Sequence, residues 1–141
     1  MSEVLSDGLS MSRTHYDMML ADVRRCAPEE ACGLVAGKLG QVTHIYTIDN
    51  ALHSLTAYRM DAMEQIDAFL EIDKLNQVLL AIYHSHPVGP EMPSETDIAE
   101  FAYPGVITLI WFPKEDSWSC KAYWINDRQV VETTLHLDED E

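Results

Sequence analysis

The sequence predicts a mixed α/β domain, with helices packed on a largely antiparallel sheet. Three observations carry that expectation. Two segments repeat apolar residues at the helical period. One short continuous apolar run, "QVLLAIY", reads as a central strand covered on both faces. Behind it, three β-like stretches are separated only by the polar turns "PKEDS" and "NDR", as hairpins are.

The elements follow in order along the 141 residues. Residues 1–10 are expected to be a disordered, polar N-terminus. In "SMSRTHYDMMLADVRRCAP", Tyr16, Met19, Leu20 and Val23 fall on one helical face, and Pro28 stops the helix. "ACGLVAG" and "QVTHIYTI" flank "KLG" as a hairpin with Gly40 at its turn. "DNALHSLTAYRM" is a loop or irregular strand. A second helix, "DAMEQIDAFLEIDKLN", has Asp61 as N-cap, and Met63, Ile66, Phe69, Leu70 and Asp73 mark its period. "SETDIAEFAY" is a short helix ended by Pro104-Gly105. "VITLIWF", "SWSCKAYWI" and "QVVETTLHL" are the last strands. A single domain over 11–137 and an acidic solvated tail over 138–141 are expected.

Composition narrows the function. The formal net charge is −15, from 24 acidic and 9 basic residues, which repels phosphates and argues against nucleic acid as a partner. No apolar run is long enough to span a bilayer, so no membrane role is expected. The stretch "MSEVLSDGLSMS" lacks the basic and apolar regions of a secretory signal, and a cytoplasmic location is expected. Cys26, Cys32 and Cys120 form no CxxC pair, which argues against a disulfide framework and an all-cysteine zinc site.

The chemistry concentrates in "AIYHSHPVGPEMPSETD", Ala81 to Asp97. In an extended chain residues i and i+2 point the same way, so His84 and His86 project together at a strand end. Pro87 then stops the strand. Asp97 follows Ser94 by three residues and shares its face at a helix start. Two imidazoles and one carboxylate leave a fourth tetrahedral position for water, the composition of a catalytic zinc site. The plainer alternatives are a surface histidine pair and a capping box in which Ser94 and Asp97 only start a helix. A buried core role is the plainer reading of Cys32 as well.

His84-Ser85-His86-Pro87, six residues, Ser94, two residues and Asp97 together resemble the JAMM motif of the MPN-plus metalloproteases. "PEEACGLVAG", Pro28 to Gly37, is similar to that family's upstream signature, where a glutamate lies two residues before a Cys-Gly pair. The compact chain looks like the stand-alone prokaryotic type. The resemblance implies an MPN/JAMM fold of cytidine-deaminase-like architecture and one Zn²⁺ per chain. It implies His84, His86 and Asp97 as metal ligands, Glu30 rather than Glu29 as general acid/base, and Ser94 as oxyanion donor. It also implies cleavage after the Gly-Gly tail of a small ubiquitin-like sulfur-carrier protein. "YRMD", Tyr58 to Asp61, is similar to a stretch of the stand-alone bacterial members that helps shape the substrate groove. A non-catalytic MPN scaffold or interaction module is the alternative function.

Overall fold

A computed structural model describes residues 8–138. It is a mixed α/β fold, as the sequence predicts. Among the described residues the elements are β1 (Leu9–Ser12), α1 (Arg13–Cys26), β2 (Cys32–Lys38), β3 (Gln41–Ile48), α2 (Ala62–Lys74), β4 (Val78–Ser85), α3 (Glu95–Ala99), β5 (Ile107–Lys114), β6 (Ser117–Asn126), β7 (Gln129–Thr133) and β8 (Leu135–Asp138). All eight strands belong to one sheet, in the order β7-β6-β5-β4-β2-β3-β1-β8. Most pairs are antiparallel. The β4–β5 pair is parallel, because α3 and its flanking loops carry the chain back to the same end. The short pairings of β1 with β3 and β8 are also parallel.

The sheet is rolled. β7 and β8 stand at opposite ends of the strand order, yet Thr134 alone separates them. The two edges are thus joined through Thr134, whose carbonyl accepts from the Leu9 N–H at 2.9 Å. The rolled inner face wraps α1. Met19 and Val23 are buried against Met11, Val35, Leu109 and Trp111, and Tyr16 lies with its ring 4.8 Å from that of Trp111. The helical face expected from the sequence is therefore the one that packs. On the outer face a second cluster joins Cys32, Leu34, Ile48 and Ile82 to Ala68 of α2.

Four expectations need correction. At Leu9 and Ser10 the disorder expected over residues 1–10 is not found. Leu9 and Ser10 already lie in β1, where pairing with β8 and burial of Leu9 and Met11 hold them. The same pairing puts Asp138 in β8 rather than in the tail. Residues 1–7 and 139–141 lie outside the described residues. "QVVETTLHL" is two strands, because the chain leaves β6 at Thr134 and crosses to β1. On α2 the stripe of Met63, Ile66 and Leu70 faces solvent, with 66%, 51% and 65% exposure. Asp73 is exposed too; Phe69 packs as expected, beside small Ala68 and Ile72, which the pattern did not mark. Its start is as expected, with the Asp61 carboxylate accepting from the Glu64 N–H at 3.0 Å.

The inner face of β4 carries a buried polar contact. Tyr83 donates to Asp22 of α1 at 2.6 Å, and Arg25 pairs with the other oxygen of the carboxylate at 2.5 Å. A buried carboxylate needs such partners to offset the water it has lost. Burial, then the Asp22 charge, push the Tyr83 phenol well above its ordinary pKa, so it stays a donor. The Tyr83 ring covers Gly33 on β2. A Cβ there would stand 2.3 Å from the ring and 2.5 Å from the Tyr46 carbonyl oxygen. Gly33→Ala should therefore cost about 1–3 kcal/mol, the scale of an overpacked core. Denaturant unfolding of the purified variant checks this; a loss below about 0.5 kcal/mol would mean that β2 can yield, in the range of an ordinary surface change.

Candidate metal centre

β4 runs between β2 and β5, and His84 pairs with Cys32 on one side and Ile110 on the other. A residue so placed is covered by its neighbours, and His84 is 1% exposed. Alternation sends Tyr83 inward and His84 outward. His86 lies one residue past the strand, held by its N–H donating to the Trp111 carbonyl at 2.7 Å. Its Nδ1 is 2.9 Å from the Pro90 carbonyl oxygen. A carbonyl can only accept, so Nδ1 carries the proton and Nε2 is turned to the site.

Asp97 arrives from α3. Ser94 is the N-cap: its Oγ accepts from the Asp97 N–H at 3.0 Å, and its own N–H donates to Asp97 Oδ2 at 2.8 Å. The capping box is thus present, and it is no alternative to a site. The same carboxylate reaches His86 Nε2 with Oδ2 at 3.1 Å and His84 Nε2 with Oδ1 at 3.4 Å. Burial opposes charge on Asp97. The His86 hydrogen bond, the nearby His84 and the Ser94 N–H outweigh it and hold the carboxyl at about 2. Burial likewise disfavours a charged His86, but the hydrogen bonds to Asp97 and Pro90 prevail and raise its pKa.

These three residues could hold one metal ion. One ligand atom of each lies within 4.8 Å of the others. Tetrahedral ligands about 2.0–2.2 Å from zinc stand about 3.3–3.6 Å apart, and the carboxylate–imidazole distances are close to that spacing. His84 also fits. Its Nε2 is the nitrogen turned to Asp97, while its buried Nδ1 makes no hydrogen bond and lies toward Glu30. The donor set of two neutral nitrogens and one carboxylate suits zinc and leaves an open position.

Glu30 stands against this group. Its side chain is 5% exposed, and Oε1 lies 3.5 Å from His84 Nδ1. Two hydrogen bonds tie the segment leading into β2 to β4: the Ala31 N–H donates to Ser85 Oγ at 2.8 Å, and the Ser85 N–H donates to the Ala31 carbonyl at 3.0 Å. The Asn50 side chain donates to the Glu30 carbonyl at 3.1 Å, and the Glu30 N–H donates to Ser54 at 2.8 Å. Glu29 points elsewhere. Its side chain is 40% exposed and pairs with His53. Cys32 is fully buried and donates to the Ile48 carbonyl at 3.4 Å; burial pushes its thiol far above the usual range, away from nucleophilic use.

Tyr58, Asn50 and Ser85 are contributors that the sequence left without a definite role. Tyr58 stacks on His84, with ring centroids 4.5 Å apart. With Asp97, Tyr103 and Thr108 it lines a cleft of about 160 Å³. The "YRMD" stretch was the one signal for it. Nothing in the sequence marked Asn50, and the motif that contains Ser85 gave it no role; their bonds span 20 and 54 residues. A larger cavity, about 420 Å³, lies at the opposite end of the sheet around Leu9, Leu80 and Trp124 and includes none of these residues.

Residues 12–125 match the family described as prokaryotic homologs of the JAB domain. A CysO-cysteine peptidase of Mycobacterium tuberculosis is 33% identical over 125 residues, covering 86% of this chain and 85% of that protein. A desampylase of Haloferax volcanii is 31% identical over 115 residues, covering 77% and 83%. Among solved structures, a protein from Desulfitobacterium hafniense superposes with a TM-score of 0.83 at 30% identity, covering 94% of each chain. A JAB1/MPN domain protein from Archaeoglobus fulgidus shares the fold at a TM-score of 0.60 and 20% identity, covering 92% of this chain and 98% of that one. The motif, the rolled sheet that presents it and these matches lead to one conclusion: the chain belongs to the prokaryotic homologs of the JAB domain, the compact prokaryotic JAMM/MPN proteins.

Proposed function

We propose that this chain is a zinc-dependent peptidase. It hydrolyses the peptide or isopeptide bond after the C-terminal Gly-Gly of a small ubiquitin-like sulfur-carrier protein. The observation that carries the reading is a buried glutamate placed 3.5 Å from one histidine of a His-His-Asp group. The names of the relatives support the substrate class. A scaffold has no use for a buried acid beside an intact donor set, which argues against the non-catalytic alternative. A cytoplasmic setting fits the three free cysteines. Among the described residues no helix is long and apolar enough to cross a membrane, and the charge of −15 disfavours nucleic acid.

His84, His86 and Asp97 would hold one zinc ion. Bound there, zinc polarises the scissile carbonyl and lowers the pKa of water towards about 7. Glu30 takes the proton from the attacking water and returns it to the leaving nitrogen. Ser94 Oγ already accepts from the Asp97 N–H, so its hydroxyl proton is free to point at the oxyanion. Tyr58 and Tyr103 narrow the cleft, which favours a tail of glycines with no side chains to clash.

Two experiments test the proposal. Glu30→Gln keeps the side-chain size and removes the base. It should retain zinc and lose turnover by about 10²-fold or more. Glu29→Gln should behave like the parent, and the reverse pattern would move the base one residue upstream. For the substrate, carriers with a C-terminal extension or adduct are incubated with zinc-loaded protein and weighed by mass spectrometry. Cleavage after Gly-Gly is expected, and a terminal Gly→Val carrier should be cut far more slowly. Equal rates for the two carriers, or no cleavage of any extended carrier, would contradict the substrate assignment.

A further inference from the structure

His86 depends on a loop that has few means of holding its shape. Its Nδ1–H is fixed by the Pro90 carbonyl, and Pro90 lies in "PVGPEMP", Pro87 to Pro93. Three of those seven residues are prolines and donate no backbone hydrogen bond. Val88 and Met92 are exposed, at 77% and 53%. The only backbone–backbone bond inside the turn is the Gly89 N–H to the His86 carbonyl at 2.8 Å. The position of the Pro90 carbonyl must therefore be set from outside the loop.

β6 supplies that restraint. Lys121 and Tyr123 are two residues apart and project from the same face of the strand. Both reach Glu91, the residue after Pro90. Lys121 pairs with the Glu91 side chain at 2.8 Å, and the Tyr123 hydroxyl donates to the Glu91 carbonyl at 2.6 Å. The ion pair is on the surface, where such pairs contribute little. Tyr123 is 4% exposed, and its hydrogen bond to the Glu91 carbonyl is part-buried. Its ring stands on a strand that pairs with β5, which in turn pairs with β4, so the anchor belongs to the same rigid sheet as His84.

We infer that Tyr123 is a positioning residue for the metal centre. By gripping the Glu91 carbonyl it holds the adjacent Pro90 carbonyl on His86 Nδ1, and so fixes the tautomer and ring plane of that ligand. The inference rests on the zinc reading of His84, His86 and Asp97. Partners that orient a ligating histidine are typically worth 10–100-fold in metal affinity. Tyr123 acts one bond further out, and the low end of that range is expected.

The test is zinc affinity, measured by competition against a chromophoric chelator with Zn²⁺ as the only ligand. Tyr123→Phe keeps the ring in the sheet and removes the hydroxyl; it should weaken zinc binding about 10-fold. Tyr46→Phe, the same change on β3, should leave the affinity at the parent value. A purely structural Tyr123 predicts a lower melting point with unchanged zinc affinity, and that result would overturn the inference. So would an equal loss in Tyr46→Phe. A second readout needs no variant: in zinc-loaded, ¹⁵N-histidine-labelled parent, His86 Nδ1–H should appear as a slowly exchanging proton, and an unprotonated Nδ1 would overturn the inference. A parent protein that takes up no zinc fails differently, since that removes the metal reading on which the inference stands.

Discussion

β4 sends Tyr83 inward to the Asp22 carboxylate at 2.6 Å and the next residue, His84, outward to Asp97 at 3.4 Å. That alternation is the constraint on which the rest depends. The inward contact ties the strand to α1, inside the rolled sheet. The outward contact places an imidazole on the opposite face, where α3 can meet it. A slip of β4 by one residue would exchange the two faces and put a tyrosine where His84 meets Asp97. The register is held by neighbours on both sides and by the close fit of Gly33 under the Tyr83 ring.

Asp97 works on two levels. At the level of local structure it completes the capping box that starts a five-residue helix. At the level of the site it lies between two histidines, and they keep its carboxyl ionised despite burial. A helix this short has little stability of its own. Its place comes from the cap, and the cap comes from the residue that also serves the site. Glu30 is held in a comparable way. Ser85 lies between the two histidines in sequence, and its side chain binds the residue next to Glu30. The motif's intervening serine therefore connects the His-bearing strand to the acid-bearing segment just before β2.

Much of this was legible in the sequence. The run before His84, the His-x-His spacing, the Asp61 cap and the α1 stripe all express local rules, and each is found where those rules put it. The misses have a common cause. β1 is only four residues long and exists because β8, more than a hundred residues later, pairs with it. The break at Thr134 is set by the closing of the sheet and has no turn residue to announce it. The α2 stripe misled because large apolar residues mark a face without saying whether anything covers it; Ala68, a small residue, made the contact. Tyr58 and Asn50 act through a loop whose path only the tertiary structure defines.

The central claim is that the end of β4 and the start of α3 build one metal centre from His84, His86 and Asp97. Elemental analysis of the purified protein and of three single variants tests it most directly. About one zinc per chain is predicted for the parent, as for a three-ligand catalytic site. His84→Ala, His86→Ala and Asp97→Ala should each lose it while keeping the far-ultraviolet circular dichroism of the parent. Equal zinc in the parent and all three variants would contradict the account.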